Sequence, residues 1–222
     1  MKLPKVALTA TLGLGLAAAG MSIASASPST GAPSGAADRG YLAAYTPGDG
    51  GKDVSKLDAD SFSDAVLKSA LAKKAKAKDL SSTVTITYDA SRAGSFRSQI
   101  KRSASIWNAA VHNVKLKEGK NADLTYEEGD DPRGSHADRL RGHYVFIDHK
   151  QSRQFDSTRI VAHETGHILG LPDHYEGPCS ELMSGGGPGP SCHNAKPNRA
   201  EARQVDQEFA DAWGDYKRGL AR

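Results

Sequence analysis

Two histidines four residues apart, His163 and His167, stand in the segment "VAHETGHILGLPDHYEG" (residues 161–177). On a helix four residues make about one turn, so both imidazoles face the same side with their Cβ atoms ~6 Å apart. Two such rings can bind one zinc ion, which accepts histidine nitrogen at ~2.0–2.1 Å. Glu164 completes an H-E-x-x-H pattern, and its carboxylate can reach a water at the metal without binding the metal itself.

The residues after His167 predict a chain reversal that brings a third ligand to the metal. Gly170 stands where the helix should end, because glycine tolerates the left-handed conformation after a helix C-terminus, and Pro172 prevents the helix from resuming. The turn returns Asp173 to the metal, and a carboxylate oxygen is an acceptable zinc ligand. His174 is the alternative, reached by a small change of register. Three protein ligands leave a fourth position open, which is typical of a catalytic zinc site.

With these residues in place, "HETGHILGLPD" resembles the metzincin pattern H-E-x-x-H-x-x-G-x-x-H, with aspartate replacing the last histidine. That replacement, followed by "HY", resembles the snapalysin family of small secreted neutral metalloproteases. The likeness covers roughly residues 83–215, from "TVTITYDASRAGSF" through "SIWNAAVHNVKL" and "FDSTRIVAHETGHILGLPDHYEGPCSELMSGGGPGPSC". The resemblance implies that zinc is bound by His163, His167 and Asp173. It also implies that Glu164 is the catalytic base and that Tyr175 helps to hold the tetrahedral intermediate.

The same resemblance implies further roles. Met183 in "SELMSGG" would be the Met-turn residue beneath the zinc ligands, and Asp156 and Thr158 in "FDST" would bind a calcium ion. Each role has a simpler alternative. Met183 could be an ordinary core residue, Tyr175 could be a surface tyrosine, and Asp156 and Thr158 could cap the zinc helix. The family also implies protein substrates, with preference for an aromatic residue just after the scissile bond.

The first 26 residues are typical of a secretory signal peptide. A basic start, "MKLPK", precedes an apolar run of small residues and then "ASA", and we place the cut after Ala26. The alternative is a membrane anchor, but the run is shorter than the ~20 residues of a spanning helix. We therefore expect a secreted, extracellular protein without membrane association after signal removal. In an oxidising space Cys179 and Cys192, close in sequence, should pair, and the family implies the same disulfide.

Residues 27–82 are predicted to be a pro-segment. They comprise a Pro/Gly/Ser/Ala-rich stretch and a basic helix at 61–78, with Ser61 as N-cap, and the alternative is a retained N-terminal tail. The net charge of +3 lies in these segments and the signal peptide, so residues 83–222 are neutral and no nucleic-acid partner is expected. If this cysteine-free pro-segment inhibits, it must use a carboxylate such as Asp38 or Asp49, or occlude the cleft; the alternative is that it only assists folding.

Residues 83–222 predict an α/β domain, in which a mixed twisted sheet packs on an active-site helix and a backing helix, followed by a C-terminal helix. "TVTITY" alternates as a half-buried strand does. Further strands are expected at Val114–Lys117, Ala122–Tyr126 and Tyr144–Asp148, and helices at Ser95–Asn113, at Ser157–Leu169 and from Asn198 onward. Residues 143–148 are the segment that we expect to form the cleft edge and pair with extended substrate.

These observations predict a monomeric, secreted zinc endopeptidase whose partner is a protein or peptide substrate. Zinc would lower the pKa of its water toward ~7, and Glu164 would move the proton to the leaving amine. Two alternatives remain open at this point. A zinc hydrolase of another amide, such as a cell-wall peptide, would use the same attack on a carbonyl. A non-catalytic binder on a protease fold would retain its function without Glu164.

Overall fold

The structure is a computed structural model of the 222-residue chain, which describes residues 42–46, 64–138 and 143–220. The predicted signal peptide, the Ser61 cap, and Asp38 and Asp49 lie outside these residues. The described strands are β1 Leu42–Ala44, β2 Val84–Arg92, β3 Val114–Glu118, β4 Leu124–Gly129, β5 His136–Asp138 and β6 Tyr144–Asp148. The described helices are α1 Asp64–Lys76, α2 Arg97–Ala110, α3 His149–Gln154, α4 Ser157–Ile168 and α5 Arg199–Leu220. None of the described helices is both long enough and apolar enough to span a membrane.

The six strands form one mixed sheet in the order β1-β5-β6-β4-β2-β3. Strands β3, β2, β4 and β6 run parallel, while β5 is antiparallel to β6 and β1 is antiparallel to β5. The α/β fold class expected from the sequence is confirmed. Parallel strands need crossover connections, and α2 supplies the one between β2 and β3.

One expectation about the sheet is wrong. Residues 143–148 were expected to form the cleft edge, but β6 lies between β4 and β5 and is paired on both sides. At the margin of the sheet β1 pairs with β5, which has only three residues, "HAD". Such a short strand has too little apolar alternation to be recognised, and its place at the margin of the sheet follows only from the tertiary pairing.

Helix α2 packs against helix α4 through one face of buried residues. Ile100, Ser103 and Trp107 are fully buried, and the Trp107 indole donates a hydrogen bond to the Ala162 carbonyl at 2.9 Å. The small Ser103 lets the two helices approach, and its hydroxyl lies 3.3 Å from that of Thr165. Because Trp107 supplies both packing and a hydrogen bond to α4, its truncation to alanine should cost about 3–5 kcal/mol.

Helix α2 is shorter than the expected Ser95–Asn113. A single 3-10 turn precedes it, and the backbone is extended at Val111, where the helix has ended. The reason lies in α5, because the Asp206 carboxylate accepts hydrogen bonds from the amides of His112 and Asn113 at 2.6 and 2.8 Å. A carboxylate distant in sequence thus replaces further helical bonding and releases the chain into β3.

The N-terminal helix α1 packs on the same body as the rest of the fold. Its apolar face, Val66, Leu67, Ala70 and Leu71, is buried in the common core. On its polar side Lys73 pairs with the buried Asp123 at 2.7 Å, and the Lys74 ammonium lies 4.9 Å from the ring centroid of Trp213 on α5. The predicted basic helix is therefore confirmed over Asp64–Lys76, two residues short of its expected end, and it contributes to the core.

The predicted start of α5 is also confirmed. The Asn198 side chain accepts from the amides of Ala200 and Glu201, and the Glu201 carboxylate accepts from the Asn198 amide at 2.6 Å. This reciprocal pair is a capping box. The helix then buries Val205, Phe209 and Trp213, the apolar residues expected from its pattern.

Candidate metal centre and catalytic site

Helix α4 begins after Asp156 and ends shortly before Gly170, close to the ends predicted from the sequence. The Asp156 side chain caps its start by accepting from the Arg159 amide at 2.9 Å. At the other end Gly170 has φ +98. The Gly170 amide donates to the His167 carbonyl, and the Leu171 amide donates to the Gly166 carbonyl, both at 3.0 Å. These two bonds form a Schellman motif, which requires a left-handed residue and hence favours glycine.

The two histidines of α4 point their Nε2 atoms at one another. His163 Nδ1 contacts the Leu182 carbonyl at 3.1 Å, and His167 Nδ1 contacts the Leu171 carbonyl at 2.8 Å. Because a carbonyl only accepts, each Nδ1 must carry the proton, which leaves each Nε2 unprotonated. The Nε2 atoms lie 3.0 Å apart, and Asp173 Oδ1 lies 3.1 Å from each.

This triangle of lone pairs fits a metal cation. All three side chains are buried, with 0% exposure for both histidines and 4% for the aspartate. Two nitrogen lone pairs and a carboxylate oxygen would repel one another at this separation unless a positive charge lay between them. Tetrahedral bonds of ~2.0–2.1 Å would set the ligand atoms about 3.3 Å apart, close to the observed spacing.

The turn after α4 places the two candidates for the third ligand, Asp173 and His174, in different surroundings. Asp173 lies against both histidines, while the adjacent His174 is directed elsewhere, with its side chain 63% exposed and Nδ1 2.5 Å from Glu181. The position of Asp173 is held by the backbone, because the His174 amide donates to the Met183 carbonyl at 2.8 Å.

Glu164 lies at the same centre. Its side chain is fully buried, and a carboxylate oxygen lies within 4.8 Å of the ligand nitrogens of His163 and His167. A buried carboxylate at this distance is close enough to reach a water held at the triangle. The adjacent helix position therefore gives it a role distinct from those of the histidines.

Met183 lies under the histidines in a short 3-10 turn, Leu182–Ser184. It is 3% exposed and packs on Gly166, where an added Cβ would meet its Sδ. The turn is held from α5, because Glu201 accepts from the amides of Leu182 and Met183 at 3.2 and 2.8 Å. Glu201 is also part of the capping box of α5, and its contacts with this turn follow from the fold.

Arg159 was missed by the sequence reasoning. It is fully buried on α4, and its guanidinium donates to the carbonyls of Glu181 and Gly185 at 3.0 Å and to the Ser184 hydroxyl at 2.8 Å. It also donates to the Asn194 carbonyl. The signal was available, because Arg159 precedes His163 by four residues and thus shares the face of the helix that carries both histidines.

Tyr175 follows the ligand turn, and its phenol faces the same centre. Burial, then the nearby carboxylates of Asp173 and Glu164, hold its pKa well above the usual range, so the hydroxyl is protonated and can donate. In the structure it donates to the Ala44 carbonyl of β1. The phenol is therefore directed at a peptide carbonyl, which in this structure belongs to the chain itself.

The side chain after that carbonyl, Tyr45, fills a pocket beside the histidines. Tyr45 is 1% exposed, and its ring centroid lies 5.3 Å from those of both His163 and Phe155, edge-on in each case. The sequence analysis assigned residues 27–82 to a pro-segment and named Asp38 or Asp49, or occlusion of the cleft, as its means of inhibition, but it did not identify Tyr45. No local pattern marks this contact, because it joins positions more than 100 residues apart.

Two other predictions concern the disulfide and the calcium-binding candidates. Cys179 and Cys192 form a disulfide with their Cα atoms 5.6 Å apart, so the predicted pairing is confirmed. Asp156 acts as the cap of α4, and its second oxygen lies 3.4 Å from His193. Thr158 lies in the first turn of that helix. The simpler interpretation of Asp156 as a cap is thus seen directly.

Comparison with known proteins agrees with this geometry. Residues 83–212 match the model of a family described as "Streptomyces extracellular neutral proteinase (M7) family". The matched range begins one residue before β2 and contains every residue of the metal centre.

Individual relatives carry related names. An "Extracellular small neutral protease" of Streptomyces sp. (strain C5) is 49% identical over 221 residues, covering 96% of this chain and 94% of the relative. The protein of the same name from Streptomyces coelicolor is 59% identical over 153 residues, covering 68% of this chain and 70% of the relative. That from Streptomyces caespitosus is 58% identical over 132 residues, covering 58% of this chain and 99% of the relative.

Proposed function

This chain belongs to the Streptomyces extracellular neutral proteinase (M7) family and is an extracellular metalloendopeptidase acting on proteins, and we propose that its metal is zinc, bound by His163, His167 and Asp173. The observation that carries the proposal is the triangle formed by the two histidine Nε2 atoms and Asp173 Oδ1, with separations of 3.0 and 3.1 Å. Two imidazoles and one carboxylate form a donor set that zinc accepts in catalytic sites.

When bound, zinc would polarise the peptide carbonyl and make a neighbouring water more acidic. Glu164 is the proton carrier in the proposed mechanism. Its buried carboxylate accepts the proton of the attacking water and delivers it to the nitrogen of the departing amine. Burial favours this exchange, because a carboxylate removed from bulk water retains the proton near the reacting atoms until the leaving amine accepts it.

Tyr175 supplies a hydrogen bond to the carbonyl oxygen in this proposal. The phenol is protonated, for the reasons given above, and it already donates to a peptide carbonyl in the structure. As negative charge develops on that oxygen the hydrogen bond strengthens, which lowers the barrier. Tyr175→Phe should therefore reduce kcat with a smaller effect on KM.

The decisive experiment is casein hydrolysis by the purified secreted protein, before and after 1,10-phenanthroline, with zinc added back. Loss of activity with the chelator and recovery with zinc is expected. Glu164→Gln is the matched control, because it should retain a full equivalent of zinc while kcat falls by about 10²–10⁴-fold. Full activity in the metal-free protein, or in Glu164→Gln, would contradict the proposed site.

We also propose the preference for an aromatic residue after the scissile bond. Its support is the pocket beside His163, which holds the ring of Tyr45 between His163 and Phe155. A peptide series that varies only this residue should give the highest kcat/KM for Tyr and Phe. Equal values for Ala and Tyr would contradict the preference.

The chain limits are proposed as signal peptide 1–26, pro-segment 27–82 and catalytic domain 83–222. The family match beginning at residue 83 supports the second boundary. N-terminal sequencing of the active secreted protein should give a start close to Thr83. A start near Ser27 in the active form would indicate a retained tail instead.

Two finer properties complete the proposal. A calcium ion at Asp156 and Thr158 would use the Asp156 oxygen turned toward His193 rather than the one that caps α4. Calorimetric titration of calcium into zinc-loaded protein, with Asp156→Ala as control, tests it, and absence of binding contradicts it. The protein is proposed to be a monomer, which light scattering should report as one chain mass.

A further inference from the structure

We propose that residues 42–46 are an inhibitory strand that occupies the peptide-binding cleft in the direction of a substrate, with the Ala44–Tyr45 peptide bond in the place of the bond to be cut. The inference rests on the roles proposed for Glu164 and Tyr175 and goes beyond them, because it assigns the cleft walls and an occupant. The occupant is a segment of this chain, and it lies in the region that the sequence predicts to be removed.

One wall of the cleft is β5. Strand β1 pairs antiparallel with it, in the register Leu42↔Asp138 and Ala44↔His136, and the Tyr45 amide continues the ladder by donating to the Ser135 carbonyl at 3.0 Å. Without β1 the free edge of β5 would border the described sheet. An unpaired edge is a template for an extended peptide, so β5 is the strand that would pair with substrate.

The opposite wall is the glycine turn 185–187. The Gly186 amide donates to the Tyr45 carbonyl at 2.8 Å. A Cβ at Gly185 would lie 2.5 Å from that carbonyl oxygen, and one at Gly186 would lie 2.5 Å from Thr46 Cγ2. The backbone of residues 45–46 is therefore held between β5 and a turn that approaches it closely because it lacks side chains.

The catalytic groups set the register of the bound strand. The Tyr175 phenol donates to the Ala44 carbonyl, the interaction proposed for a substrate's scissile carbonyl. The next residue, Tyr45, packs edge-on against the metal-ligand candidate His163. A cleavable peptide would present two features: a carbonyl at the oxyanion donor, and the following side chain beside the metal centre.

Tyr45 anchors the strand. Its ring is enclosed by Phe155 and His163, and its hydroxyl reaches the buried Arg159. Burial raises the pKa of Tyr45 to about 12 although Arg159 acts to lower it, so the side chain is neutral in its pocket. Beside it Gln151 Nε2 donates to the Thr46 hydroxyl at 3.0 Å. Five residues thus make backbone bonds on two sides and fill one deep pocket.

Helix α1 keeps the strand close to the cleft. Its buried apolar face and the Lys73–Asp123 pair attach the following part of the same segment to the body of the enzyme. Attachment at a second point makes the occupation of the cleft intramolecular, with an effective concentration on the order of millimolar for a short tether. An external peptide must compete with that concentration, so even a short strand inhibits.

The first test measures initial rates on a fluorogenic peptide with intact, zinc-loaded chain starting at Ser27, with mass spectrometry to verify that no processing has occurred. Tyr45→Ala should raise the rate by at least about tenfold, equivalent to losing one strong anchor. Tyr45→Phe should retain most of the inhibition, because the ring remains. Leu80→Ala is the matched control, since Leu80 is 85% exposed in the same segment. An unchanged rate in intact Tyr45→Ala would overturn the proposal.

The second test does not depend on activity. Hydrogen exchange is measured on the Glu164→Gln chain, which cannot process itself, with and without Tyr45→Ala. The amides of Tyr45 and Gly186 should be protected in the single variant and exchange at least about tenfold faster in the double variant. Equal exchange would overturn the proposal. If instead protection is lost as expected but no variant hydrolyses peptide, the strand is supported and the peptidase mechanism fails.

A third measurement addresses the direction of binding. A synthetic peptide of residues 40–47, "GYLAAYTP", added to zinc-loaded Tyr45→Ala chain should compete with the fluorogenic peptide. The same peptide with Tyr45 replaced by alanine, and the reversed sequence, should inhibit at least about tenfold more weakly. Equal inhibition by the forward and reversed peptides would overturn the substrate-like direction.

Discussion

A Cβ atom placed on Gly166 would lie 2.6 Å from the Sδ of Met183. Real Cβ atoms essentially never approach another heavy atom this closely, so the methionine turn touches the active-site helix where the helix has no side chain. The same added atom would stand 3.2 Å from Trp107 Cζ2 on the other side. Because Gly166 lies between His163 and His167 in the helix, the packing of Met183 bears directly on the separation of the two histidines.

Gly166→Ala should therefore strain the centre. The new methyl group must displace Met183 or Trp107, which costs typically about 1–3 kcal/mol in a close-packed core. We expect a lower Tm and a higher dissociation constant for zinc. Gly219→Ala on α5 is the control, because a Cβ there meets nothing within 4 Å, and it should be neutral or stabilising. Equal thermal stability of the two variants would refute the proposed contact.

Arg159→Met should loosen the turn that carries Met183. The substitution keeps an apolar side chain of similar length, but it removes the Arg159 donors from the carbonyl of the buried Gly185. An unsatisfied buried group costs about 1–3 kcal/mol, so a loss of at least that size is expected in urea unfolding. Arg153→Met, at an exposed position on α3, should change stability by less than about 0.5 kcal/mol.

Asp173→Ala and His174→Ala distinguish the third ligand from its neighbour. Removing Asp173 leaves two imidazoles, and the zinc dissociation constant should rise by at least about 100-fold. His174 contacts Glu181 and is largely exposed, so its removal should leave zinc binding unchanged. Competition with a coloured zinc chelator measures both values. The opposite ranking would assign the ligand to His174.

Asp206→Asn should show a pH-dependent loss of stability. Burial acts to raise the pKa of Asp206, but hydrogen bonds from the Asn113 and His112 amides outweigh it and hold the pKa below its usual value. A depressed pKa in the folded state means that the charge stabilises the fold above ~pH 4, and that this contribution is lost as the pH falls through the folded pKa.

Asparagine retains one acceptor oxygen and lacks the charge, so the Tm of Asp206→Asn should lie below that of the wild type at pH 7. The two values should converge as the pH falls through the folded pKa, because the wild-type carboxyl then also becomes neutral. Asp211→Asn, exposed on the same helix, is the control and should track the wild type. A Tm difference that stayed constant between pH 7 and pH 3 would contradict the assignment.

Much of the site could be predicted because its information is local. The spacing of His163 and His167 becomes a shared face as soon as a helix forms, and Asp156 and Gly170 mark where that helix begins and ends. The Asn198–Glu201 capping box is likewise contained in four residues. Hydrogen bonds over one helical turn depend on the chain's own geometry, so sequence spacing is sufficient evidence for them.

The features that were missed join distant positions. The end of α2 was placed too late because Asp206, on another helix, bonds the amides that would otherwise have continued it. Strand β5 has only three residues, two of them polar, and becomes a strand only by pairing with β1 and β6. Contacts between such distant positions depend on burial and backbone pairing across the whole fold. A short stretch of sequence shows no periodic pattern that would predict them.

The sequence by itself determined the identity of the chemical groups: two histidines one turn apart, an adjacent glutamate, a glycine that ends the helix, and an aspartate after the turn. Only the tertiary structure decided which of Asp173 and His174 meets the histidines, how Arg159 and Glu201 hold the Met183 turn, and that Tyr45 lies in the cleft. The physical reason is that ligand types and turn propensities are properties of single residues and short segments. Which groups share a buried space depends instead on packing the whole chain.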